Sequence, residues 1–325
     1  DPRGIGPEVI SRAARAYLAD CPDVEILLVG SAEALRREGT GLPSESVGSF
    51  DGSLESAGAV SLRAIERAVG LARAGEVQAI VTGPVHKPAL AAAGSRHPGQ
   101  TELLAELSGS RQVGMLMHAN ARSPVASPEP DHAVPEGSTT PSPSFRSAAI
   151  RILLATTHVP LRDVPSLLTG ARLEAQTRLL AENLRLHWRL PSPRIALCAL
   201  NPHASDGGLF GDEEGQVFLP AAEAMRRDGI DVTDPLPADT AFLRLLSGTV
   251  DAVVSPYHDV GMAVFKTLSF GRGVNVTLGL PFVRTSPDHG TAFDQAGTGR
   301  ANPGSAIEAL RLARRLASSM IGASF

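Results

Sequence analysis

Short apolar runs alternate along the chain with segments of helical periodicity. Strands are predicted where aliphatic and β-branched runs stand between turn residues, at 25–29, 78–82, 113–118, 150–155, 194–200, 251–255 and 274–278. Helices are predicted at 7–18, 54–74, 101–107, 171–186, 213–228, 238–246 and 304–320. In one of these helices Leu173, Leu180 and Leu184 recur near one face. Alternating strands and helices predict an α/β fold with a largely parallel sheet between layers of helices.

Two segments depart from this alternation. Residues 120–147 hold many Pro, Ser, Ala and Thr residues with almost no aliphatic periodicity, which predicts a disordered surface insertion. Residues 1–8 resemble a loop that enters a helix, because Pro7 suits a first helical turn and Glu8 complements the helix dipole there. Such a loop normally follows a strand, so a first strand is expected to be missing before Asp1.

Composition narrows the function classes. The chain has 325 residues, 43% of them apolar and 20% charged, as in a globular protein of one large or two ordinary domains. A net charge of −4 without a basic stripe disfavours nucleic acid as a partner. No apolar run has membrane-spanning length, and there is no signal-peptide pattern. Cys21 and Cys198 are far apart and fit no metal spacing, which favours a reducing compartment. We therefore expect a cytoplasmic protein that binds neither nucleic acid nor membrane.

The familiar nucleotide-binding motifs do not occur. The sequence has no Gly-x-Gly-x-x-Gly and no Gly-x-x-x-x-Gly-Lys-Ser/Thr, so a standard Rossmann or P-loop site is disfavoured. This leaves open nicotinamide binding by another fold.

Three histidines stand at predicted strand ends, where α/β proteins commonly place functional groups. They are His158, His203 and His258. Three neutral imidazoles suit a divalent ion with one coordination position left for substrate. The sequence separations alone do not show that the three converge, and a histidine at a strand end is more often a hydrogen-bonded structural residue than a metal ligand.

Lysine is nearly absent from this chain. Lys87 and Lys266 are the two lysines, and the other 28 of its 30 basic residues are arginine. Each lysine follows a histidine, in His86-Lys87 and in the segment from His258 to Lys266. An ammonium can exchange a proton where a guanidinium cannot, so both lysines are candidates for chemistry that arginine does not replace.

Glycines, threonines and single polar side chains crowd together at residues 270–303. In this region Asn275 and Arg284 are candidates for binding an anion, because arginine matches a carboxylate or a phosphate with two parallel hydrogen bonds. Polar groups at this density in a loop favour a binding site over an elaborate turn.

These motifs together resemble the 4-hydroxythreonine-4-phosphate dehydrogenase family. The resemblance runs through residues 83–87, 98–102, 155–161, 200–208, 237–240, 257–266 and 275–294, nearly the whole chain outside 120–147. Residues 288–292 and 297–303 also resemble the cofactor loop of isocitrate and isopropylmalate dehydrogenases. The resemblance implies α/β/α layers of that superfamily, with two subdomains and the active site in the cleft between them. It places the cofactor subdomain at 1–101 and 265–325, and the metal, substrate and dimerisation subdomain at 102–264.

The resemblance also implies roles for individual residues. It makes His158, His203 and His258 the ligands of one divalent ion (Zn, Mg or Co) at a homodimer interface. Substrate contacts are implied for Gln100, Thr101, Lys266, Asn275 and Arg284, with Gln100 standing where the family has histidine. The implied contacts to NAD or NADP are Gly279, Asp288, His289, Gly290, Thr291 and Asp294.

The implied reaction oxidises 4-phosphooxy-L-threonine to a β-keto acid, which decarboxylates to 3-amino-2-oxopropyl phosphate on the way to pyridoxal 5′-phosphate. Lys266 is expected to donate a proton or to stabilise charge. Asp239 or Asp259 is expected to orient a metal-binding histidine, with helix capping and a plain turn as their respective alternatives. Three other activities stay open: a D-threonate or D-erythronate 4-phosphate dehydrogenase, a dihydrodiol dehydrogenase, and a metal-dependent phosphate-ester hydrolase.

Overall fold

A computed structural model describes residues 1–97, 99–120 and 149–321. The insertion predicted at 120–147 lies outside the described residues, apart from Asn120. Among the described helices, none combines the length and the apolar character needed to cross a lipid bilayer.

The chain forms two compact units. The first contains Asp1–Met115, Leu186–Arg189 and Gly271–Phe325, and the second contains Leu116–Arg185 and Leu190–Phe270. The main division therefore falls at 115/116 and 270/271, whereas the resemblance placed it at 101/102 and 264/265. The roles that the resemblance gives to the subdomains stay predictions.

The first unit carries a parallel strand pair, the strand order β3-β10-β9 and six helices among its described residues. Strand β10 runs parallel to β3 and antiparallel to β9. The elements are α1 (Gly6–Asp20), β1 (Leu28–Gly30), α2 (Ala32–Glu38), β2 (Ser44–Ser46), α3 (Leu54–Arg73), β3 (Ala79–Val81), α4 (Lys87–Ala92), α5 (Gln100–Ser108), β9 (Val274–Leu278), β10 (Val283–Pro287) and α11 (Gly304–Ile321).

The second unit has the strand order β4-β5-β8-β6-β7. Strands β5, β8 and β6 run parallel to one another, as does β7 beside β6. The elements are β4 (Gly114–Asn120), β5 (Ala149–Leu154), α6 (Val164–Leu167), α7 (Gly170–Trp188), β6 (Ile195–Cys198), α8 (Leu219–Arg227), β7 (Val232–Leu236), α9 (Ala238–Leu246), β8 (Ala252–Ser255) and α10 (His258–Ser269); a π-helical turn, Glu214–Phe218, precedes α8.

Each unit has its own apolar core. In the first, Ile65 and Val69 of α3 pack with Ile80 of β3 and with Leu103 and Leu104 of α5. In the second, every residue of β6 and β8 is buried, and Leu173, Leu180 and Leu184 on the predicted apolar face of α7 are each 0% exposed. Helical periodicity thus identified the buried side of α7 correctly.

Several elements were not predicted from the sequence, namely β2, β7, β10, α2, α4, α6 and α10. The two that matter for function are β10 and α10. The expectation that Arg284 lies in a loop is wrong, because it belongs to β10, a strand whose five residues are all buried. The alternative of a plain strand-end turn at Asp259 is also wrong, because His258 and Asp259 open helix α10.

Candidate functional site

The three candidate histidines follow three neighbouring parallel strands. His158 comes four residues after β5, His258 three residues after β8 and His203 five residues after β6. Because β5, β8 and β6 are adjacent and parallel, their carboxyl ends share one edge of the sheet. This edge is where parallel α/β sheets bind ligands.

His158 and His258 form a close pair at this edge. Their ring centroids are 5.5 Å apart and their planes are tilted by 44°. Two imidazoles bound through nitrogen to one tetrahedral ion have centroids roughly 5 Å apart, so the spacing fits a shared divalent ion. The pair opens on a cavity of about 100 Å³. The cavity is lined by Thr157, His158, Val159, Leu161, Val164, Tyr257, His258 and Asp259.

Asp259 fixes the orientation of the His258 ring. Its Oδ1 lies 2.6 Å from Nδ1 of His258, within the first turn of α10. A carboxylate on Nδ1 leaves Nε2 of the ring as the atom that can bind an ion, which is the arrangement of carboxylate–histidine–metal sites. Asp239, the other candidate, is exposed in the first turn of α9, where it accepts a hydrogen bond of 3.4 Å from the Thr240 hydroxyl.

His203 does not join the pair within this chain. Among the described residues, no three His, Cys, Asp or Glu side chains come close enough together to hold a metal ion. His203 is exposed and lies in a turn, Pro202–Gly208, whose backbone is left-handed from His203 to Gly207. One chain therefore supplies two adjacent imidazoles and presents the third elsewhere on its surface.

A buried carboxylate organises the turn that carries His203. Glu214 is 3% exposed and accepts hydrogen bonds from the backbone N–H groups of Leu200 and Asn201, both at 2.8 Å. Its second oxygen accepts from Asn201 Nδ2 at 2.9 Å and from the Ser205 hydroxyl. Burial alone raises the pKa of the Glu214 carboxyl, but the donors from Asn201 and Ser205 outweigh burial and the pKa is lowered.

In the first unit, Arg284 places a guanidinium in the protein interior. The side chain is 3% exposed, and burial lowers its pKa to about 10, so it stays charged at neutral pH. Its hydrogen bonds go to neutral acceptors: the hydroxyls of Thr277 at 2.9 Å and Thr82 at 2.6 Å, and Oε1 of Gln100 at 3.2 Å. No described carboxylate pairs with it, and its Nε has no partner among the described residues. A buried cation without a counter-ion fits an anionic ligand.

Three further substrate candidates lie on the same unit. Gln100 opens α5, and its Nε2 donates to the Gly83 carbonyl oxygen at 3.1 Å while its Oε1 accepts from Arg284. Thr101 follows it in the first turn and is half-buried. Asn275 of β9 is half-buried, and its Oδ1 finds no hydrogen-bond partner among the described residues. An amide oxygen in that condition suits a ligand that donates a hydrogen bond.

The candidate cofactor residues after β10, from Asp288 to Asp294, lie in a loop that packs on residues 3–5. Thr291 accepts a hydrogen bond from Ile5 N–H at 2.9 Å, and a Cβ on Gly4 would lie 2.6 Å from the Thr291 oxygen. Asp288 N–H donates to the Ser305 hydroxyl at 3.0 Å, and His289 Nδ1 lies 3.1 Å from the oxygen of Gly290, which is exposed.

The two remaining candidates are Gly279, which lies between β9 and β10, and Asp294, which lies at the end of this loop. Gly279 follows β9 with a φ of 85°, and Asp294 is exposed in a 3₁₀ turn. Next to Asp294, Phe293 stacks edge-on against His86 at 5.1 Å, with the Arg3 guanidinium 5.2 Å from its ring centroid. Arg3 was not predicted as a site residue, and a lone arginine near the start of a loop gives no sequence signal.

The two lysines occupy helices. Lys266 is exposed on α10, eight residues and about 12 Å of helix rise after His258. It lies seven residues after Asp259, and this spacing puts the two side chains on one face of the helix. Lys87 is the first residue of α4 and is exposed.

Thr82, Thr277 and Glu214 were not predicted as site residues, because threonines beside strands and glutamates in helices are common in any α/β protein.

Comparison with known proteins finds a matching family model, close sequence relatives and similar solved structures. Residues 31–313 match the family model described as Pyridoxal phosphate biosynthetic protein PdxA. The 4-hydroxythreonine-4-phosphate dehydrogenase of Ruegeria sp. (strain TM1040) is 40% identical, over 98% of this chain and 94% of the relative. The crystal structure of the 4-hydroxythreonine-4-phosphate dehydrogenase from Klebsiella pneumoniae is similar with a TM-score of 0.80 at 35% identity, covering 98% of this chain and 97% of that chain.

A more distant solved structure bears on the fold alone. Isocitrate dehydrogenase from Methylococcus capsulatus aligns with a TM-score of 0.52 at 16% identity, over 98% of this chain and 85% of that chain. The predicted isocitrate/isopropylmalate dehydrogenase-like α/β fold is confirmed.

Proposed function

Since the chain belongs to the family of the pyridoxal phosphate biosynthetic protein PdxA, we propose that it oxidises 4-phosphooxy-L-threonine. The product is a β-keto acid, which decarboxylates to 3-amino-2-oxopropyl phosphate for pyridoxal 5′-phosphate synthesis in the cytoplasm. The observation that carries this proposal is the buried Arg284 guanidinium, whose described partners are all neutral. A phosphorylated substrate supplies the anion that this cation is missing.

The substrate is held by a small set of polar groups. Arg284 binds the phosphate, supported by Gln100 and Thr101 at the start of α5. Asn275 offers its unpaired amide oxygen to a donor on the substrate, such as the amine. These assignments rest on the family resemblance and on the chemistry of the donors and acceptors that are present.

The residues that would hold a divalent ion, Zn, Mg or Co, follow the carboxyl ends of β5 and β8. His158 and His258 supply two nitrogens, and Asp259 holds His258 in the required orientation. His203 of a second copy of the chain in a homodimer would supply the third nitrogen, since within the described residues of one chain no three such ligands come together. When bound, such an ion supplies Lewis-acid activation of the hydroxyl and of the carbonyl formed from it.

NAD or NADP would supply the hydride acceptor. The residues that would hold it are Gly279, Asp288, His289, Gly290, Thr291 and Asp294. Lys266 then delivers the proton that replaces CO₂ on the substrate carbon, a role that suits an ammonium and not a guanidinium. Asp239 is the second candidate, beside Asp259, for a carboxylate that orients a metal-binding histidine.

Gln100 keeps a second candidate function open. It stands where the family has histidine, so this site recognises the phosphate with a neutral amide, and a D-threonate or D-erythronate 4-phosphate is the alternative substrate. A dihydrodiol of an aromatic acid would offer Arg284 a carboxylate in place of a phosphate. A phosphate-ester hydrolase would have no use for the cofactor loop.

One set of assays separates these activities. The purified chain, stripped with EDTA and reloaded with Zn, Mg or Co, is given 4-phosphooxy-L-threonine, D-threonate 4-phosphate or a dihydrodiol with NAD or NADP. The proposal expects the largest kcat/KM with 4-phosphooxy-L-threonine, as NADH or NADPH absorbance without release of free phosphate. A larger kcat/KM with another substrate, or phosphate release without reduced cofactor, overturns it.

A further inference from the structure

The turn that carries His203 has an unfavourable backbone. His203, Ala204, Ser205 and Asp206 have φ angles of 53°, 56°, 68° and 43°, and Gly207 follows with 70°. Four consecutive residues with a side chain are thus left-handed, at a cost of about 1 kcal/mol or more for each. Such a conformation persists only when the surrounding structure imposes it, and residues in this condition cluster at functional sites.

Glu214 imposes it from inside the protein. One oxygen of its buried carboxylate accepts from two consecutive backbone N–H groups at the start of the turn, those of Leu200 and Asn201. The other oxygen accepts from the Asn201 side chain and from the hydroxyl of Ser205, within the left-handed stretch. One carboxylate therefore ties the start of the turn to its middle and leaves His203, between them, exposed.

The backbone at Gly211 lies close to the side chains of Asn201 and Glu213. Gly211 has a φ of 125°, and a Cβ there would lie 2.7 Å from Asn201 Nδ2 and 2.6 Å from Glu213 Oε2. Oε2 of Glu213 also accepts a hydrogen bond from Asn201 Nδ2, at 2.7 Å. Glu214 begins a π-helical turn, a rare local geometry that often marks functional sites.

We propose that Glu214 is a positioning residue for the metal site: it holds the left-handed turn in the one conformation that presents the His203 imidazole to the ion. The proposal rests on the proposed role of His203 as the third ligand. Glu214 touches neither substrate nor metal. It acts through the turn, so its loss weakens metal binding while it leaves the anion site around Arg284 unchanged.

The test compares three variants of the full-length protein, with Co²⁺ binding measured by calorimetry. Glu214→Gln keeps the side-chain volume and one acceptor oxygen. It replaces the other oxygen with an NH₂ group, which is a donor facing the donors that now bind the carboxylate. Glu213→Gln is the matched control, because Glu213 makes one contact with the same Asn201 side chain. His203→Ala removes the proposed ligand. Loss of a group that orients a metal ligand, as proposed for Glu214, typically weakens metal affinity tenfold to a hundredfold.

We expect Glu214→Gln to weaken Co²⁺ binding by roughly tenfold to a hundredfold, with Glu213→Gln within about threefold of wild type. Inorganic phosphate binding stays within twofold of wild type in both, and excess Co²⁺ restores kcat in Glu214→Gln but not in His203→Ala. If Glu214→Gln does not fold, Ser205→Ala removes one of the four contacts and is expected to weaken Co²⁺ binding in the same direction.

The outcomes separate this inference from the proposed function. Wild-type Co²⁺ affinity in Glu214→Gln, or in Ser205→Ala where that variant replaces it, together with lost affinity in His203→Ala, overturns the role of Glu214 and leaves the ligand set intact. Wild-type affinity in His203→Ala overturns the ligand set itself, and with it this inference. A Glu214→Gln variant that loses phosphate binding as much as Co²⁺ binding also overturns it, because the defect is then general.

Discussion

Gln100→Glu tests whether Arg284 is kept without a counter-ion so that it can bind an anionic substrate. The substitution places a carboxylate of the same size beside the buried guanidinium, where the amide oxygen now accepts from Arg284 Nη2 at 3.2 Å. At that distance, with an effective dielectric constant of 20, the attraction is about 5 kcal/mol. The site then carries an internal ion pair in place of a free cation.

The magnitude follows from how strongly the site disfavours its own charge. Burial lowers the pKa of Arg284 from 12.5 to about 10, which corresponds to about 3 kcal/mol against the charged form. An introduced carboxylate relieves this penalty in the substrate-free protein and competes with the substrate phosphate. We expect a loss of about 2–3 kcal/mol in phosphate binding, the range of one charge-assisted hydrogen bond, or a KM raised roughly 30- to 150-fold.

The assays are the KM for 4-phosphooxy-L-threonine and the affinity for inorganic phosphate, with Gln100→Met as the uncharged control. The control loses the acceptor without adding charge, so its KM should rise less than about tenfold. Arg284 holds the pKa of the introduced carboxyl below its usual value. Any added stability is therefore present above about pH 4 and is lost as the pH falls through the lowered folded-state pKa. Equal KM values for the two variants would refute the electrostatic reasoning.

Three further predictions address other parts of the molecule. Lys266→Arg should lower kcat by about a hundredfold or more and change its pH profile, with phosphate affinity unchanged, and wild-type turnover would remove its role in proton transfer. Asp259→Asn should weaken Co²⁺ binding measured by calorimetry about tenfold, because the amide cannot orient His258 as a carboxylate does; unchanged affinity would contradict this. Gly58→Ala should lower the free energy of unfolding by about 2 kcal/mol or more, since its Cβ would lie 1.9 Å from the Ala89 oxygen. Gly70→Ala in the same helix meets no atom within 4 Å and should raise the free energy of unfolding by about 0.5–1 kcal/mol in denaturant titrations, so equal effects at the two glycines would contradict the packing argument.

The sequence predicted most of the regular structure because its apolar residues keep clear periods. Helix α9 and strand β9 were predicted with their observed bounds, and the buried face of α7 was identified from three leucines. The histidines follow β5, β6 and β8 as expected, since parallel strands fix which end of the sheet a following loop reaches.

The functional elements β10 and α10 were missed for physical reasons. Strand β10 is buried although its residues are mostly polar, because Arg284 and Thr285 find acceptors inside the protein. Helix α10 contains Gly261, which reads as a turn residue in the sequence. In the structure this glycine lets the helix approach β5 and β8, since a Cβ there would lie 2.6 Å from Leu154 Cδ2.

The role of Glu214 could not be predicted either. Its position agrees with the predicted helix at 213–228, and nothing in that pattern shows that the side chain reaches back to Leu200 and Asn201. Long-range hydrogen bonds of this kind depend on the fold, and a single sequence contains no direct sign of them. The proximity of His158 and His258 likewise depends on the fold, because the two residues lie 100 positions apart in the sequence.

The activity that we propose for this chain is the oxidation and decarboxylation of 4-phosphooxy-L-threonine with a nicotinamide cofactor. The most direct measurement follows reduced cofactor, CO₂ and free phosphate together, in one reaction of the metal-loaded protein with that substrate. We predict one reduced cofactor and one CO₂ for each substrate consumed, with no free phosphate and with activity lost in Arg284→Met. Release of phosphate, or consumption of the substrate without reduced cofactor, would contradict the proposed oxidative decarboxylation.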